Sequence, residues 1–342
     1  MKQRFVAATV AALLCGGLLV GLPGAAAARK SAETGSTATG LVFFPNPVAD
    51  LQNQSLTDQK DSASAVPRAA YHRVKLTNLD GSGYLRGDWA NIRGATGDLA
   101  FETDGSYLYL RDDDRFEQVM GYYWITKAQR YIQSLGFGTV RRAINKESQD
   151  LRINQYGLDN SFSWDKHDLI RLGKGGVDDA EDAEVILHEY GHAIHDSQVP
   201  GFGTSVQAGS IGEGFGDYWA VTVADVVAPT PDPACVADWD AVSYTSTRPH
   251  CLRRVDTNLR YPGDLDGRIH HDGQIWSRAL WDIRRALGHK RADTVILEAQ
   301  FDFSPGTTMP AAARATVATG RALYGSGVAG AVRSAFAARG IL

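Results

Sequence analysis

Five consecutive residues carry the clearest chemistry in this chain: His188-Glu189-Tyr190-Gly191-His192. On a helix, two histidines four positions apart lie one turn above each other, so both imidazoles reach one ion. Neutral imidazole nitrogen suits zinc, and catalytic zinc sites take three protein ligands and leave a position open for water. Zinc lowers the pKa of that water, and Glu189 is placed to accept its proton. The alternative is a helix that carries surface His and Glu residues and binds no metal.

A third metal ligand must come from elsewhere in the chain. Metzincin peptidases need glycine and histidine at the positions held here by His195 and Gln198, which excludes that class. Glu213, on the next predicted helix, completes a set of two His and one Glu. Asp217 lies one turn further on the same face, and ligating histidines usually donate their other ring proton to such a carboxylate. His195 is either a spare ligand or a solvated side chain, and we expect it to be solvated.

The elements that position these residues follow from the hydrophobic pattern. A helix is predicted to start near Asp178, where Asp178 and Glu181 form a capping box, and to end before Pro200. A β-rich first half and a mostly helical second half indicate an α+β arrangement, with the metal helix at the junction. The other predicted elements are strands within 71–110 and over 152–163, and helices over 114–134, 211–226, 272–287, 292–300, 310–324 and 328–339.

The first 28 residues have the order of a secretory signal peptide. Lys2 and Arg4 precede an apolar stretch over 5–22, and small residues fill 24–28. An uncleaved membrane anchor is the alternative, because the stretch is nearly long enough to span a bilayer. Its many Ala and Gly residues favour cleavage, so we expect export and no stable membrane association afterwards.

Beyond the signal we expect a lead-in and then one domain, and two packed lobes are a reasonable expectation for 342 residues. Residues 29–70 are rich in Ser, Thr, Ala, Asp and Gln and predict an extended lead-in or a short pro-segment. The catalytic domain is then expected over 71–342, with an N-terminal lobe that includes the zinc helix over 71–200 and a mainly helical lobe over 201–342.

Charge and cysteine usage restrict the partners and the compartment. The 342 residues carry a net charge of -4, with Lys and Arg scattered, which gives no support for nucleic-acid binding. If Cys15 leaves with the signal, Cys235 and Cys251 remain. We expect them to form one disulfide, as an oxidising compartment permits, rather than to stay as two free thiols. We expect the mature protein to be a monomer.

With these residues in view, the segment over 71–335 resembles the thermolysin-like gluzincin peptidases, and within them the fungalysin-type family. The resemblance implies the two-lobed thermolysin-like α+β fold, with the active-site helix at the junction of the lobes. Three motifs carry it: His188-Glu189-Tyr190-Gly191-His192, Gly212-Glu213-Gly214-Phe215-Gly216-Asp217 and His270-His271-Asp272-Gly273-Gln274-Ile275-Trp276.

The resemblance implies a role for each matching position of the first two motifs. His188, His192 and Glu213 would hold one zinc ion. Glu189 would be the general base, and Asp217 would orient His188.

The resemblance also implies roles away from the zinc helix. His270 would steady the oxyanion of the tetrahedral intermediate, and His271 would take that role if the register shifts by one. Asn160 would hydrogen-bond the backbone of a peptide added to a strand edge, whereas Asn160 and Ser161 taken alone read as a turn. A calcium ion is left open, because Glu184 stands where thermolysin has an Asp that helps to bind calcium while the acidic residues downstream do not match.

The expected function is therefore that of a secreted zinc endopeptidase acting on protein or peptide substrates. The rivals are a secreted binding protein that keeps a zinc-stabilised scaffold and a zinc hydrolase with another substrate. A binding protein should lack the base or a ligand, and neither is missing here. No tyrosine or arginine that assists the reaction can be assigned, although Arg253 and Arg254 lie in a plausible stretch.

Overall fold

Two sheets in the N-terminal half and a group of helices in the C-terminal half make up most of the described chain. The helix that carries the His-Glu motif packs on the four-stranded sheet and on neighbouring helices. The computed structural model describes residues 35–95, 97–154 and 157–342, and the predicted signal peptide lies outside them. The strands are β1 (Ser36–Val42), β2 (His72–Leu79), β3 (Ala90–Ala95), β4 (Ser106–Tyr107), β5 (Gln149–Ile153), β6 (Phe162–Trp164), β7 (Leu169–Leu172), β8 (Cys235–Val236) and β9 (Arg253–Arg254). The α-helices are α1 (Pro47–Leu51), α2 (Arg115–Ser134), α3 (Ala183–Gln198), α4 (Val206–Val227), α5 (Ile269–Leu287), α6 (His289–Gln300), α7 (Met309–Tyr324) and α8 (Ser326–Ala338).

The four-stranded sheet has the order β3-β5-β7-β6. β3, β5 and β7 are parallel, whereas β6 runs antiparallel to β7 and forms the edge of the sheet. In β5 the side chains of Leu151 and Ile153 are fully buried and Arg152 between them is exposed, the alternation expected of a strand with one covered face. The edge position of β6 leaves one side of its backbone without a neighbouring strand.

Helix α2 is buried around most of its circumference and lies between the sheets and the zinc helix. It packs on β1, β3 and β5 and on α3. Phe116, Trp124 and Ile132 are fully buried along its length, and so are the polar side chains of Glu117 and Gln118. The helix predicted over 114–134 is confirmed.

Helix α3 begins later than predicted, because the N-cap is a different aspartate. Asp182 caps it, with its side chain accepting a hydrogen bond from the backbone N–H of Glu184 at 2.9 Å. The capping box of Asp178 and Glu181 was wrong: the three residues Asp179–Glu181 form a separate 3-10 turn. Glu181 is instead held by two hydrogen bonds from Nε of Arg111, at 2.8 and 3.0 Å.

The strand predicted over 152–163 is also two strands rather than one. β5 ends at Ile153 because Asn154 adopts a left-handed backbone conformation, with φ of 52°. The chain resumes as β6 at Phe162 and returns antiparallel to β7. The break matters for the site, since it makes β6 an edge strand.

Part of the segment expected to be an extended lead-in is a strand of the N-terminal sheet. β1 lies between β2 and β4, and Phe43, which follows it, is fully buried against Tyr71 and Phe116. The sequence does not reveal this strand, because its few buried residues form a short run just before the polar residues 50–65. The domain boundary at residue 71 and the division of the lobes at residue 200 stay predictions.

The C-terminal part is mostly helical, as predicted. α4 packs on α3 and on α5, and α6, α7 and α8 complete the group. The predicted disulfide is confirmed: Cys235 and Cys251 are bonded and tie β8 to the segment that leads into β9. Within the described ranges, no helix combines the length and the apolar character that crossing a membrane would need.

Candidate active site

Two glycines allow α3 and α4 to approach closely at the site. A Cβ on Gly191 would lie 2.9 Å from the Cα of Gly216, and one on Gly216 would lie 2.8 Å from Nδ1 of His188. Real Cβ atoms do not tolerate such contacts, so glycine is needed at both positions. The close approach brings Glu213 on α4 against the two histidines on α3.

The three predicted metal ligands converge. Nε2 of His188 lies 3.2 Å from Nε2 of His192 and 3.3 Å from Oε2 of Glu213. Oε1 of Glu213 lies 3.8 Å from Nε2 of His192. Burial would raise the pKa of Glu213, but the neighbouring His192 and His188 lower it to about 2, so this side chain is a carboxylate. Two ring nitrogens and a carboxylate therefore face one point.

Asp217 supports this group from behind. Nδ1 of His188 donates a hydrogen bond to Oδ1 of Asp217 at 2.9 Å. Arg253, in β9, donates two hydrogen bonds of 2.7 Å to the two oxygens of the same carboxylate. Asp217 is 1% exposed, and a buried charge requires such a partner. The sequence suggested the partnership with His188, whereas no sequence signal singled out Arg253 from its neighbour.

Glu189 lies beside the ligands, almost fully buried. Its Oε2 has no hydrogen-bond partner among the described residues. Burial raises the pKa of Glu189 to about 7, and the charge of Glu213 adds to this rise. The charges of His188 and Arg253 and a backbone hydrogen bond from Ser163 act to lower it. A carboxyl group with a pKa near neutrality can both accept and return a proton.

The two histidines at the start of α5 have different surroundings. Nε2 of His270 lies 3.2 Å from Oε2 of Glu213, and its side chain is 61% exposed. Nδ1 of His271 lies 3.2 Å from Oδ1 of Asp272 and 3.3 Å from Oδ2 of Asp266. The structure therefore brings His270, and not His271, to the metal-ligand group.

A cleft of about 420 Å³ opens over these residues, within the usual range for ligand sites. Asn160 and Ser161, which lead into the edge strand β6, line the cleft together with Phe162 and Ser163 of that strand. Asn160 is exposed, so its amide is available to a bound chain. The predicted strand edge and the metal-ligand group thus share one cleft.

His195 is not solvated, contrary to the expectation from sequence. It is 1% exposed and its ring stacks on Phe202, with centroids 4.3 Å apart, and lies against Phe215. Burial, with a contribution from His192, lowers its pKa to about 3. His195 is spaced along the helix as a metal ligand would be. Its neutral imidazole instead packs among aromatic rings and does not join the predicted metal ligands.

The carboxylate of Glu184, the residue considered for calcium binding, contacts the backbone. Its Oε2 accepts a hydrogen bond of 2.6 Å from the N–H of Ala237. Burial raises its pKa, and repulsion from Asp182 and Asp238 adds to this. Calcium binding stays an open expectation.

Comparisons with known proteins agree with this geometry. Residues 155–341 match the model of the fungalysin metallopeptidase (M36) family. Extracellular metalloproteinase 2 of Phaeosphaeria nodorum is 26% identical over 115 residues, which is 30% of this chain and 17% of that protein. Extracellular metalloproteinase 2 of Arthroderma gypseum is 26% identical over 111 residues, 30% of this chain and 18% of that protein. The chain thus spans less than a fifth of the length of these curated relatives.

The fold is shared with a solved structure. The precursor of protealysin, a metalloproteinase from Serratia proteamaculans, superposes with a TM-score of 0.56 at 18% identity, over 66% of this chain and 79% of that chain. The predicted two-lobed thermolysin-like α+β fold and the predicted family are confirmed. On the family match over more than half of its length, this chain belongs to the fungalysin metallopeptidase (M36) family.

Proposed function

We propose that this protein is a secreted zinc endopeptidase whose metal is held by His188, His192 and Glu213. The observation that carries the proposal is the convergence of their three ligand atoms, all within 4.8 Å of one another, in the cleft that also contains Glu189. Metal-assisted hydrolysis requires one further acidic side chain beside such a group, which accepts a proton from water.

The spacing of the three ligand atoms fits zinc. Two nitrogens that each lie 2.0–2.1 Å from a tetrahedral zinc ion are about 3.3 Å apart, and the two imidazole nitrogens are 3.2 Å apart. Oε2 of Glu213 is buried without a hydrogen-bond partner among the described residues, as expected of an oxygen reserved for a cation. Two imidazoles and a carboxylate are a usual ligand set of catalytic zinc.

The chain's own residues then divide the work of hydrolysis. Bound zinc would polarise the scissile carbonyl and lower the pKa of a water molecule. Glu189 accepts the proton of the attacking water and delivers it to the leaving amine, a role suited to its pKa of about 7. His270, exposed at the mouth of the cleft, donates a hydrogen bond to the oxyanion of the tetrahedral intermediate.

The substrate is a polypeptide in extended conformation. β6 is the edge strand of its sheet, so a peptide could add beside it as another strand. Asn160 hydrogen-bonds that peptide through its exposed amide. This edge favours a peptide substrate over a small molecule, which would not need a strand to pair with.

Secretion is supported by two observations. The relatives are named extracellular metalloproteinases, and the bonded Cys235 and Cys251 suit an oxidising compartment. The signal peptide predicted over residues 1–28 is the expected route.

The proposal is tested by hydrolysis of a generic protein substrate, such as casein, with and without a zinc chelator. We expect hydrolysis that the chelator abolishes and added zinc restores. Hydrolysis that persists in the chelator would exclude a metallopeptidase. Tight zinc binding without any hydrolysis would favour the binding-protein alternative.

A further inference from the structure

A second group of acidic residues, separate from the predicted metal ligands, lies beside the cleft. Asp159, Asp179 and Asp240 each contribute a carboxylate oxygen, and these oxygens lie within 4.8 Å of one another. Asp179 and Asp240 line the cleft, as does Tyr244, whose hydroxyl donates a hydrogen bond of 2.7 Å to Oδ1 of Asp159. We call these three aspartates the acidic cluster.

Two members of the acidic cluster are buried and incompletely paired. Asp179 is 2% exposed and Asp240 is 3% exposed, and Oδ1 of each has no hydrogen-bond partner among the described residues. The other oxygen of Asp179 accepts hydrogen bonds from the Ser161 hydroxyl and, at 3.4 Å, from the N–H of Gly173. Buried carboxylate oxygens without a partner cost free energy, and a cation in the cleft would remove that cost.

The pKa values of the two buried aspartates also indicate that the acidic cluster lacks a nearby positive charge. Burial raises the pKa of Asp179 to about 7, and Asp159 and Glu189 are among the groups that add to this. Burial also raises the pKa of Asp240, and Asp179 adds to it. Among the described residues that line the cleft, Arg253 carries the one permanent positive charge, and both oxygens of Asp217 already bind it. The acidic cluster therefore lacks a matching cation.

The cleft that Asp179 and Asp240 line also has apolar walls. Val185, Leu252, Val236 and Ala237 line the same cleft, and the aromatic ring of Tyr244 lies at the cluster. An aliphatic stem that ends in a positive charge matches such a pocket, because the stem packs on apolar surface while the charge reaches the carboxylates. Lysine and arginine are the residues with that shape.

The acidic cluster also lies near the reacting groups. Glu189 and Arg253 line the same cleft as Asp179 and Asp240. A side chain in this pocket would therefore belong to a residue next to the bond that Glu189 helps to break. Resting on the proposed peptidase function, we propose that the acidic cluster is a specificity subsite that selects peptides with Lys or Arg at one position flanking the scissile bond.

An inorganic divalent cation fits the acidic cluster less well. Calcium takes six to eight oxygen ligands, and the cluster offers three carboxylates, one of which is already bound by Tyr244. The apolar walls would contribute nothing to such an ion. We therefore assign the pocket to a basic side chain and leave calcium as an outcome of the test.

The test is a cleavage profile of the zinc-loaded full-length protein on a peptide library, followed by kcat/KM on matched peptides. The matched pairs replace Lys by norleucine and Arg by citrulline at the preferred position, which removes the charge and keeps the length. We expect the wild type to prefer the charged member at least about tenfold, and Asp240→Asn to lose about tenfold of that preference. Asp165→Asn, which removes an exposed carboxylate that also lines the cleft, should keep it.

Each outcome decides the proposal. Cleavage with equal rates on the charged and uncharged members would overturn the subsite and leave the peptidase function intact. Failure to cleave any peptide would overturn the peptidase function and the subsite with it. If Asp240→Asn does not fold, the matched pairs on the wild type still decide. Stoichiometric binding of calcium alone in calorimetry, lost in Asp240→Asn and abolishing the basic preference, would replace the subsite by a calcium site.

Discussion

Nδ1 of His188 donates a 2.9 Å hydrogen bond to Asp217, and this contact fixes which ring nitrogen of His188 is free. With the proton on Nδ1, the lone pair of Nε2 points to His192 and Glu213. Arg253 holds the same carboxylate through two further hydrogen bonds. The predicted metal ligand His188 is therefore oriented by a buried pair of charges that would not itself reach a metal.

Removing the charge of Asp217 should weaken metal binding. Asp217→Asn keeps the size of the side chain but loses the charge that orients the His188 ring and raises its basicity. We expect zinc affinity to fall by about 10–100-fold, measured by competition with a chelator of known affinity. Asp302→Asn, which removes an exposed carboxylate that does not line the cleft, serves as the control. An unchanged affinity in Asp217→Asn would rule out the orienting role.

The buried pair of Arg111 and Glu181 should contribute strongly to stability. Both side chains are fully buried, and their closest contact is 2.8 Å. Arg111→Met leaves the buried Glu181 carboxyl without its cationic partner, so we expect the free energy of unfolding to fall by about 3–5 kcal/mol. Adding Glu181→Gln removes the orphaned carboxyl and should recover part of the loss, as read from denaturant unfolding. A double variant less stable than Arg111→Met alone would disprove this account.

Asp178 should make the protein less stable at high pH. Burial raises its pKa to about 8, repulsion from Asp61 and Glu181 adds to this, and Lys174 opposes it. Because the unfolded value is near 3.8, the folded state binds the extra proton between these pH values. The contribution of Asp178 to the free energy of unfolding is therefore complete below pH 4 and is lost as the pH rises towards 8.

The variant Asp178→Asn checks this sign. It should match the wild type in stability near pH 4 and exceed it near pH 8 by on the order of 1 kcal/mol, after allowance for relaxation of the site. Thermal unfolding across that pH range measures the difference. A stabilisation that is equal at both ends of the range would show that the charge of Asp178 is not its cause.

Loss of the disulfide should reduce both stability and activity. Cys235 and Cys251 are 16 residues apart in sequence, and closing a loop of that length stabilises by about 3 kcal/mol. The bond also precedes β9, where Arg253 reaches Asp217. We expect the double Cys→Ser variant to lose that stability and, at temperatures where it stays folded, part of its activity. Full activity in the folded variant would show that β9 is positioned without the bond.

The helix that carries the His-Glu motif and the proximity of its side chains could be predicted because their signal is local. Both histidines and Glu189 lie within one turn of each other, and the regular helix α3 converts that spacing directly into proximity. Glu213 and Asp217 lie on the next helix in the chain, so a short connection brings them back to the same point. The glycines Gly191 and Gly216, which allow the approach, gave no signal of their own.

Other features depended on distant contacts that no local pattern encodes. Arg253 reaches Asp217 from a two-residue strand, and nothing in its neighbourhood distinguishes it from Arg254, which pairs with Asp232 and Asp256 instead. The N-cap of α3 was misplaced because several aspartates precede the helix. The Asp182 side chain accepts a hydrogen bond from the N–H of Glu184, whereas Asp178 precedes a separate 3-10 turn.

The most direct test of the central claim is the variant Glu189→Gln. The substitution preserves the shape of the side chain and removes its ability to accept a proton. Zinc content, determined by elemental analysis, and hydrolysis of casein are measured on the same samples. We predict that the variant retains one zinc ion per chain and loses hydrolysis by at least about 100-fold. Hydrolysis at the wild-type rate with zinc still bound would contradict the role of Glu189 as the general base.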